Sequence, residues 1–409
     1  MLGVILSGLA GLLIVNVLPK DQYGAYTFLV ACMTLVLGVT DTGLAHCALP
    51  VVGERTGDAP WVLASCKRVF QKRWALLFAG FVIVVPYWWI TTREHGWTGL
   101  GYWAASGFIV CALLLALREH YAGTVLTILR EVRTLNRIGF TSSIIRIAFV
   151  FAALALPLGS YTLAGITVAT ALASAVAVVL YRRALDAGGY APATLDPVQA
   201  KEVDAKIFRI ARPLVLPAVF YQFQGVITVF IASLFGSPAM LAEVGAFGRL
   251  GLVLMVVDRV AGTLLFPAIA RAPDDDKLST LVFKSHLLYL GAAVVVFFTS
   301  TAFPKYWILL LGHQYADREA LVWMVFASTL LLNGAGFAFR TVASRGHTVR
   351  QTYIIPFVLI VQVGYIWIFG VGTLRAVLGF AIATSLANFL YQYAMLGTWF
   401  LAQRRDKAA

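Results

Sequence analysis

The stretch YTLAGITVATALASAVAVVLYRR, residues 161–183, decides the fold. From Tyr161 to Tyr181 it carries no acid, lysine, arginine or histidine, and it stops at the pair Arg182-Arg183. A hydrocarbon core about 30 Å thick is crossed by about 20 apolar residues, so this run is long enough for a transmembrane helix. The basic pair marks its cytoplasmic end.

Runs of this kind recur along all 409 residues, of which 60% are hydrophobic and 12% charged. A soluble domain carries about twice that share of charge. The mean hydropathy of +0.83 agrees. Twelve spans are expected, over 3–18, 24–46, 74–91, 99–117, 139–158, 161–181, 212–235, 245–270, 285–303, 320–339, 353–371 and 376–402. This excludes a cytosolic enzyme and a nucleic-acid-binding protein, although the formal charge is +13.

The position of the cations explains that charge. Of 32 Lys and Arg, 24 fall in stretches after even-numbered spans, among them Lys67, Arg68, Lys72, Arg73, Arg182 and Arg183. Five (Lys20, Arg93, Lys305, Arg318, Arg375) fall in odd loops, and Arg146, Arg249 and Arg259 lie inside spans. Positive charge stays on the cytoplasmic side, so both termini are expected there. The basic clusters are then topology determinants and anionic-lipid contacts. The first run lacks a basic n-region and a convincing cleavage site, so no cleavable signal peptide is expected. Cys32, Cys47, Cys66 and Cys111 lie in spans or cytoplasmic stretches without metal-ligand spacing.

The chain repeats internally. Tyr23-Gly24-Ala25-Tyr26 opens span 2 and Val244-Gly245-Ala246-Phe247 opens span 8. Leu163–Thr170 in span 6 resembles Val377–Thr384 in span 12, and Arg118 and Arg340 close spans 4 and 10. Two halves of six spans run in the same direction and are related by an axis along the membrane normal. The expectation is an all-α polytopic membrane protein with about 12 transmembrane helices in two six-helix, pseudo-symmetric lobes. An N-terminal lobe (1–183) precedes a cytoplasmic inter-lobe connector (184–211), followed by a C-terminal lobe (212–409). The connector holds an amphipathic run, Val198–Ile210, able to lie on the inner membrane surface. The outer loops are very short, which leaves no room for an extracytoplasmic domain or active site.

Three motifs carry a resemblance. Leu18–Tyr26 resembles the "P-x-x-Y/F-G-x-Y" signature of Wzx-type polysaccharide and O-antigen flippases, members of the multidrug/oligosaccharidyl-lipid/polysaccharide (MOP) exporter superfamily. Glu243–Leu250 resembles that family's "E-V-G-x-Y-x-x-A-x-R/K-L", with Arg249 placed earlier than the pattern asks. Leu309–Tyr315 resembles its "L-L-x-G-x-x-Y". The resemblance implies two lobes around a central cavity in the bacterial cytoplasmic (inner) membrane. It implies a non-enzymatic transporter moving undecaprenyl-diphosphate-linked oligosaccharide between leaflets for surface polysaccharide synthesis. Its partners would be the lipid-linked sugar, membrane lipids and the polysaccharide polymerase machinery, with no nucleic acid. No cofactor is implied, and a coupling ion, H+ or Na+, stays open. The nearest alternative is a cation-coupled multidrug exporter of the same superfamily; a membrane-embedded polymerase is the rival from another class. By the offset between the repeats, Met1 aligns with Gln222 in mid-span 7. Either the start lies upstream or the first helix is short.

Ionisable groups inside spans cost about 2.5–3.5 kcal/mol on insertion scales, which marks them as candidate sites. Arg146, Arg249 and Arg259 are expected to border a cationic cavity, because the guanidinium fork matches phosphate oxygens. Arg249 and Arg259 lie about 80° apart around a helix. The structural alternative has Arg146 snorkelling to the inner interface. Asp41 and Asp258 are candidates for coupling or ion pairing. Tyr221, Gln222 and Gln224, near the middle of span 7, are suited either to sugar hydroxyls or to joining helices. Trp88, Trp89, Trp97 and Trp103 read as an interfacial belt.

Overall fold

The computed structural model describes residues 2–53, 55–190, 194–251, 265, 269, 276–343 and 351–408. These residues are helical almost throughout, as a chain in hydrocarbon must be: an unpaired N–H or C=O there has no water to turn to. Ten of the described helices are long and apolar enough to cross a membrane. The first helix, α1 (Leu2–Val17), is shorter, and α10 (Pro238–Leu250) runs into residues outside the described set.

The chain forms two compact units, Met1–Ser233 and Leu234–Ala409. In the first, α2 (Lys20–Asp41) is the central helix. Seven consecutive residues, Tyr23 to Leu29, are buried, a pattern that fits a helix covered on all sides rather than on one stripe. Around it lie α4 (Ala59–Glu94), α5 (Leu100–Ile128) and α7 (Thr162–Ala187), while α1 packs on α6 (Val132–Ala155) and α6 on α7. A short helix, α3 (Ala48–Val52), follows the turn at Thr42-Gly43.

Helix α4 departs most from expectation. Its 36 residues amount to about 54 Å, far more than the hydrocarbon needs. It starts at Ala59 rather than near residue 74, with Asp58 capping the first turn through Trp61 N–H at 3.2 Å. The inner third therefore stands clear of the bilayer and meets the connector helix α8 (Pro197–Ala211). Val203, Ile207 and Ala211 of α8 pack on Leu44, Cys47, Val51 and Val69. Arg68 and Lys72 of α4 hold Asp204 at 2.8 and 3.6 Å. The apolar face of the connector is thus occupied by protein. The reading of Lys67, Arg68, Lys72 and Arg73 as one lipid-facing cluster needs correction, because two of the four are paired with Asp204 and Arg73 is buried.

After α8, α9 (Val215–Phe235) returns through the membrane and is fastened to α4 at its outer end. The Tyr87 hydroxyl meets the Ser233 hydroxyl, and His95 Nε2 lies 2.9 Å from the Ser233 carbonyl. Tyr87 also packs edge-on against Phe230.

In the second unit, α11 (Asp276–Ala302), α13 (Val322–Ala343), α14 (Ile354–Phe369) and α15 (Leu374–Ala408) are the long helices, and α12 (Pro304–Leu309) is a short turn. The pairing of α15 with α13 mirrors that of α7 with α5, as the internal repeat requires. The repeated glycines have a common physical role. A Cβ on Gly165 of α7 would stand 3.0 Å from Cβ of Ala153 in α6. One on Gly379 of α15 would overlap the Tyr365 hydroxyl of α14 and stand 3.1 Å from its Cζ. In both halves a glycine lets the preceding helix come close, the usual way of packing helices in lipid.

Overpacking of this kind costs about 1–3 kcal/mol. Gly379→Ala should therefore lower the melting temperature of the purified protein in detergent. Tyr365→Phe, which removes the overlapping oxygen, should restore most of the loss.

Candidate functional site

The polar groups of the first unit gather on α2. Near its outer end, Tyr26 is 1% exposed, and Arg146 of α6 donates from its Nη2 to the Tyr26 hydroxyl at 3.5 Å. The sequence placed Arg146 about two turns from the cytoplasm. Because α6 begins at Val132, Arg146 lies about 21 Å along it and reaches the outer half of α2. This geometry opposes the snorkelling alternative, since the guanidinium is directed away from the inner interface. It also ties the arginine to a residue of the motif that carries the resemblance.

Lower on α2, Gly38 faces Gln222 of α9. A methyl group on Gly38 would stand 2.5 Å from Cδ and 2.6 Å from Cγ of Gln222. Gln222 is thus a helix-joining group packed on bare backbone. Gln224 points about 200° away around the helix, and Tyr221, which is exposed, meets Phe220 edge-on. The three polar groups of α9 do not share one face.

At the inner end of α2, Asp41 acts through space on Arg73 of α4 and His120 of α5. Arg73 is only 6% exposed; its Nη2 lies 3.4 Å from His120 Nδ1, and its Nε has no hydrogen-bond partner. A small cavity beside Arg73 is lined by Leu44, Ala48, Val69, Phe70, Tyr121 and Thr124 among others. The sequence reading missed this buried cation, yet its spacing held a signal. Val69, Arg73, Leu77, Gly80 and Val84 follow one another at helical intervals, and all are buried.

In the second unit, Arg249 is half-buried in the last turn of α10. At the start of the same motif, Glu243 is 4% exposed and accepts from Arg318 Nε at 2.9 Å. Arg318 follows directly on the Leu309–Tyr315 motif, whose Tyr315 is fully buried. The two motifs of the second half therefore meet through an ion pair. Between α14 and α15 runs a polar seam that sequence reading also missed. Gln351 and Gln392 exchange two amide hydrogen bonds at 3.2 and 2.8 Å, and Gln362 donates to the Thr384 hydroxyl at 3.3 Å. Asp258 and Arg259 lie outside the described residues. Among the described residues no group of three or more His, Cys, Asp or Glu is placed to hold a metal ion.

The four tryptophans near the outer ends of α4 and α5 pack on other rings. Trp88, Trp89 and Trp103 form a ring cluster with centroids 5.3–6.4 Å apart, and Trp97 packs on Phe28, His95 and Tyr102.

No family model matches the sequence, and no curated protein matches it. Solved structures do share its fold. One, described as the inward-facing conformation of a multidrug resistance MATE family transporter of the MOP superfamily, has a TM-score of 0.72 at 14% identity. It covers 98% of this chain and 96% of its own. The lipid II flippase MurJ in an inward closed conformation gives 0.66 at 12% identity, over 98% and 91%. The eukaryotic MATE transporter AtDTX14 gives 0.62 at 13%, over 99% and 94%. The chain shares the fold of these three structures over nearly its whole length.

Replacing a whole buried ionic cluster by apolar groups of similar size is often neutral or stabilising, whereas removing one charge alone leaves the other uncompensated and is destabilising. Arg73→Met and Asp41→Ala should therefore each lower the melting temperature in detergent, and the double variant should lose less than the sum of the two. An additive loss would show that the two charges do not interact.

Proposed function

We propose that the chain translocates undecaprenyl-diphosphate-linked oligosaccharide units across the bacterial cytoplasmic membrane by alternating access, for surface polysaccharide synthesis. The observation that carries this reading is Arg146, a guanidinium that reaches from α6 to the Tyr26 hydroxyl of α2. A diphosphate headgroup entering a medium of low dielectric needs fixed counter-charge, and an arginine fork binds its oxygens in pairs. Arg146 in the first unit and Arg249 in the second supply one such cation each, and Arg259 adds a third. The prenyl tail stays in the bilayer while the head crosses. Of the polar groups of α9, Tyr221 or Gln224 would meet the sugar while Gln222 joins helices, and Asp41 and Asp258 would take the coupling ion, H+ or Na+. The polymerase machinery would then take over the flipped unit. MurJ, similar in fold, is a lipid II flippase, which supports a lipid-linked cargo.

The second reading, a cation-coupled multidrug exporter, is favoured by the MATE transporters among the structural neighbours. Membrane-embedded polymerisation has less support: α6 and α7 are joined on the outside by only residues 156–161, and α14 and α15 by residues 370–373.

Two measurements separate these readings. In a strain lacking the gene, mass spectrometry of the lipid extract should show accumulation of a complete diphosphate-linked repeat unit, with surface polymer lost. Unchanged lipids with raised sensitivity to cationic drugs would select the exporter. A unit that accumulates on the periplasmic side would select the polymerase. In proteoliposomes, Arg146→Ala with Arg249→Ala should flip the lipid-linked sugar at least tenfold more slowly. The paired lysine variants should fall between, keeping charge but losing the fork. A flipping rate equal to wild type in the double alanine variant overturns the assignment.

A further inference from the structure

The connector helix α8 has two opposite faces, and packing on the first unit explains only one. At 100° per residue, Val203, Ile207, Ile210 and Ala211 point one way and are packed against the first unit. Val198, Lys201, Phe208 and Arg212 point to the opposite side, with Arg209 at its edge, and all five are exposed. The rotation of the helix is fixed at three places. The Asp196 backbone N–H donates to the Gln199 side chain at 3.4 Å, with Pro197 opening the first turn. Asp204 on the flank is held by Arg68 and Lys72. The Cys47 thiol lies 4.0 Å from the Ile207 carbonyl.

The outward face does not resemble one turned to water. Val198 is 76% exposed and Phe208 66%. The Arg212 guanidinium stands 6.0 Å over the Phe208 ring. The charges beside them are of one sign: Glu202 is taken up by Lys206 at 3.0 Å and Asp204 is turned to α4. Among the described residues, Lys201, Arg209 and Arg212 make no ion pair. Large apolar side chains flanked by uncompensated cations suit a surface that offers anions over hydrocarbon. Such a surface lies beside this helix, because α8 joins the inner ends of α7 and α9.

We propose that the outward face of α8 is a docking surface for anionic phospholipid of the inner leaflet. Lys201, Arg209 and Arg212 take the headgroup phosphates, and Val198 and Phe208 sit at the level of the glycerol. The anionic-lipid contact expected of the basic clusters thus belongs to the connector, since α4 uses Arg68 and Lys72 on Asp204.

The test is native mass spectrometry of the full chain released from vesicles of phosphatidylcholine mixed with phosphatidylglycerol. The wild-type chain should retain phosphatidylglycerol in excess of its share of the bilayer. The variant K201Q/R209Q/R212Q should lose at least fivefold of that excess, while K201R/R209K/R212K and the control Lys67→Gln keep it. An unchanged excess in the glutamine variant, or no excess in the wild type, overturns the proposal. So does displacement of the lipid by inorganic diphosphate, which would make the cations a site for a soluble anion. A measurement on the wild type alone guards against a variant that fails to fold. Backbone amides of 198–212 should exchange with deuterium more slowly in nanodiscs containing phosphatidylglycerol than in phosphatidylcholine alone, and equal rates would again overturn it. None of these outcomes depends on which cargo the transporter carries.

Discussion

Hydrocarbon does not solvate polar groups, and everything else in this fold follows from that. Each span must satisfy its own backbone, which makes it a helix, and each polar side chain must find an acceptor within reach. Hydroxyls turn back onto their own helix: Thr34 to the Val30 carbonyl, Thr170 to Ile166, Thr329 to Val325 and Thr341 to Phe337. Amides do either: Asn388 turns back to the Thr384 carbonyl, while Gln351 pairs with Gln392 and Gln362 with Thr384. The few charges deep in the fold are therefore conspicuous. Arg73 and Arg146 both reach other elements around α2, one at His120 and the other at Tyr26.

Without a hydrophobic force between helices in lipid, packing has to come from close approach. The structure obtains this from glycine at matched places. Gly165 and Gly379 admit α6 and α14, and Gly38 admits the side chain of Gln222. The glycine shared by Leu163–Thr170 and Val377–Thr384 is one whose missing Cβ makes the packing feasible, so this part of the repeat is a record of helix contacts.

The spans and their direction were legible because the penalty on charge in hydrocarbon leaves so few ways to write them. Helix ends were not. The start of α4 at Ala59 is hidden by Lys67, Arg68, Lys72 and Arg73, which end an apolar window without ending a helix. The same cluster hid the burial of Arg73: four neighbouring cations look alike in sequence, and only helical spacing separates the one that faces inward. Partners far apart in the chain were also out of reach. Nothing in Gln351 points to Gln392, nor in Arg68 to Asp204, until the chain is folded. Of the candidate site, residue types were legible and directions were not. Gln222 and Gln224 are neighbours in sequence but lie on opposite sides of α9.

Helix α4 holds the connector near its inner end and α9 at its outer end. Its inner third grips Asp204 of α8 through Arg68 and Lys72, and its outer end grips Ser233 of α9 through Tyr87, with His95 just beyond. The stretch from α8 to the end of α9 is therefore a strap tied twice to a single rod. Both ties lie on one helix, so the length of α4 sets the separation between Asp204 and Ser233, and the stretch between them is held to that helix at each end.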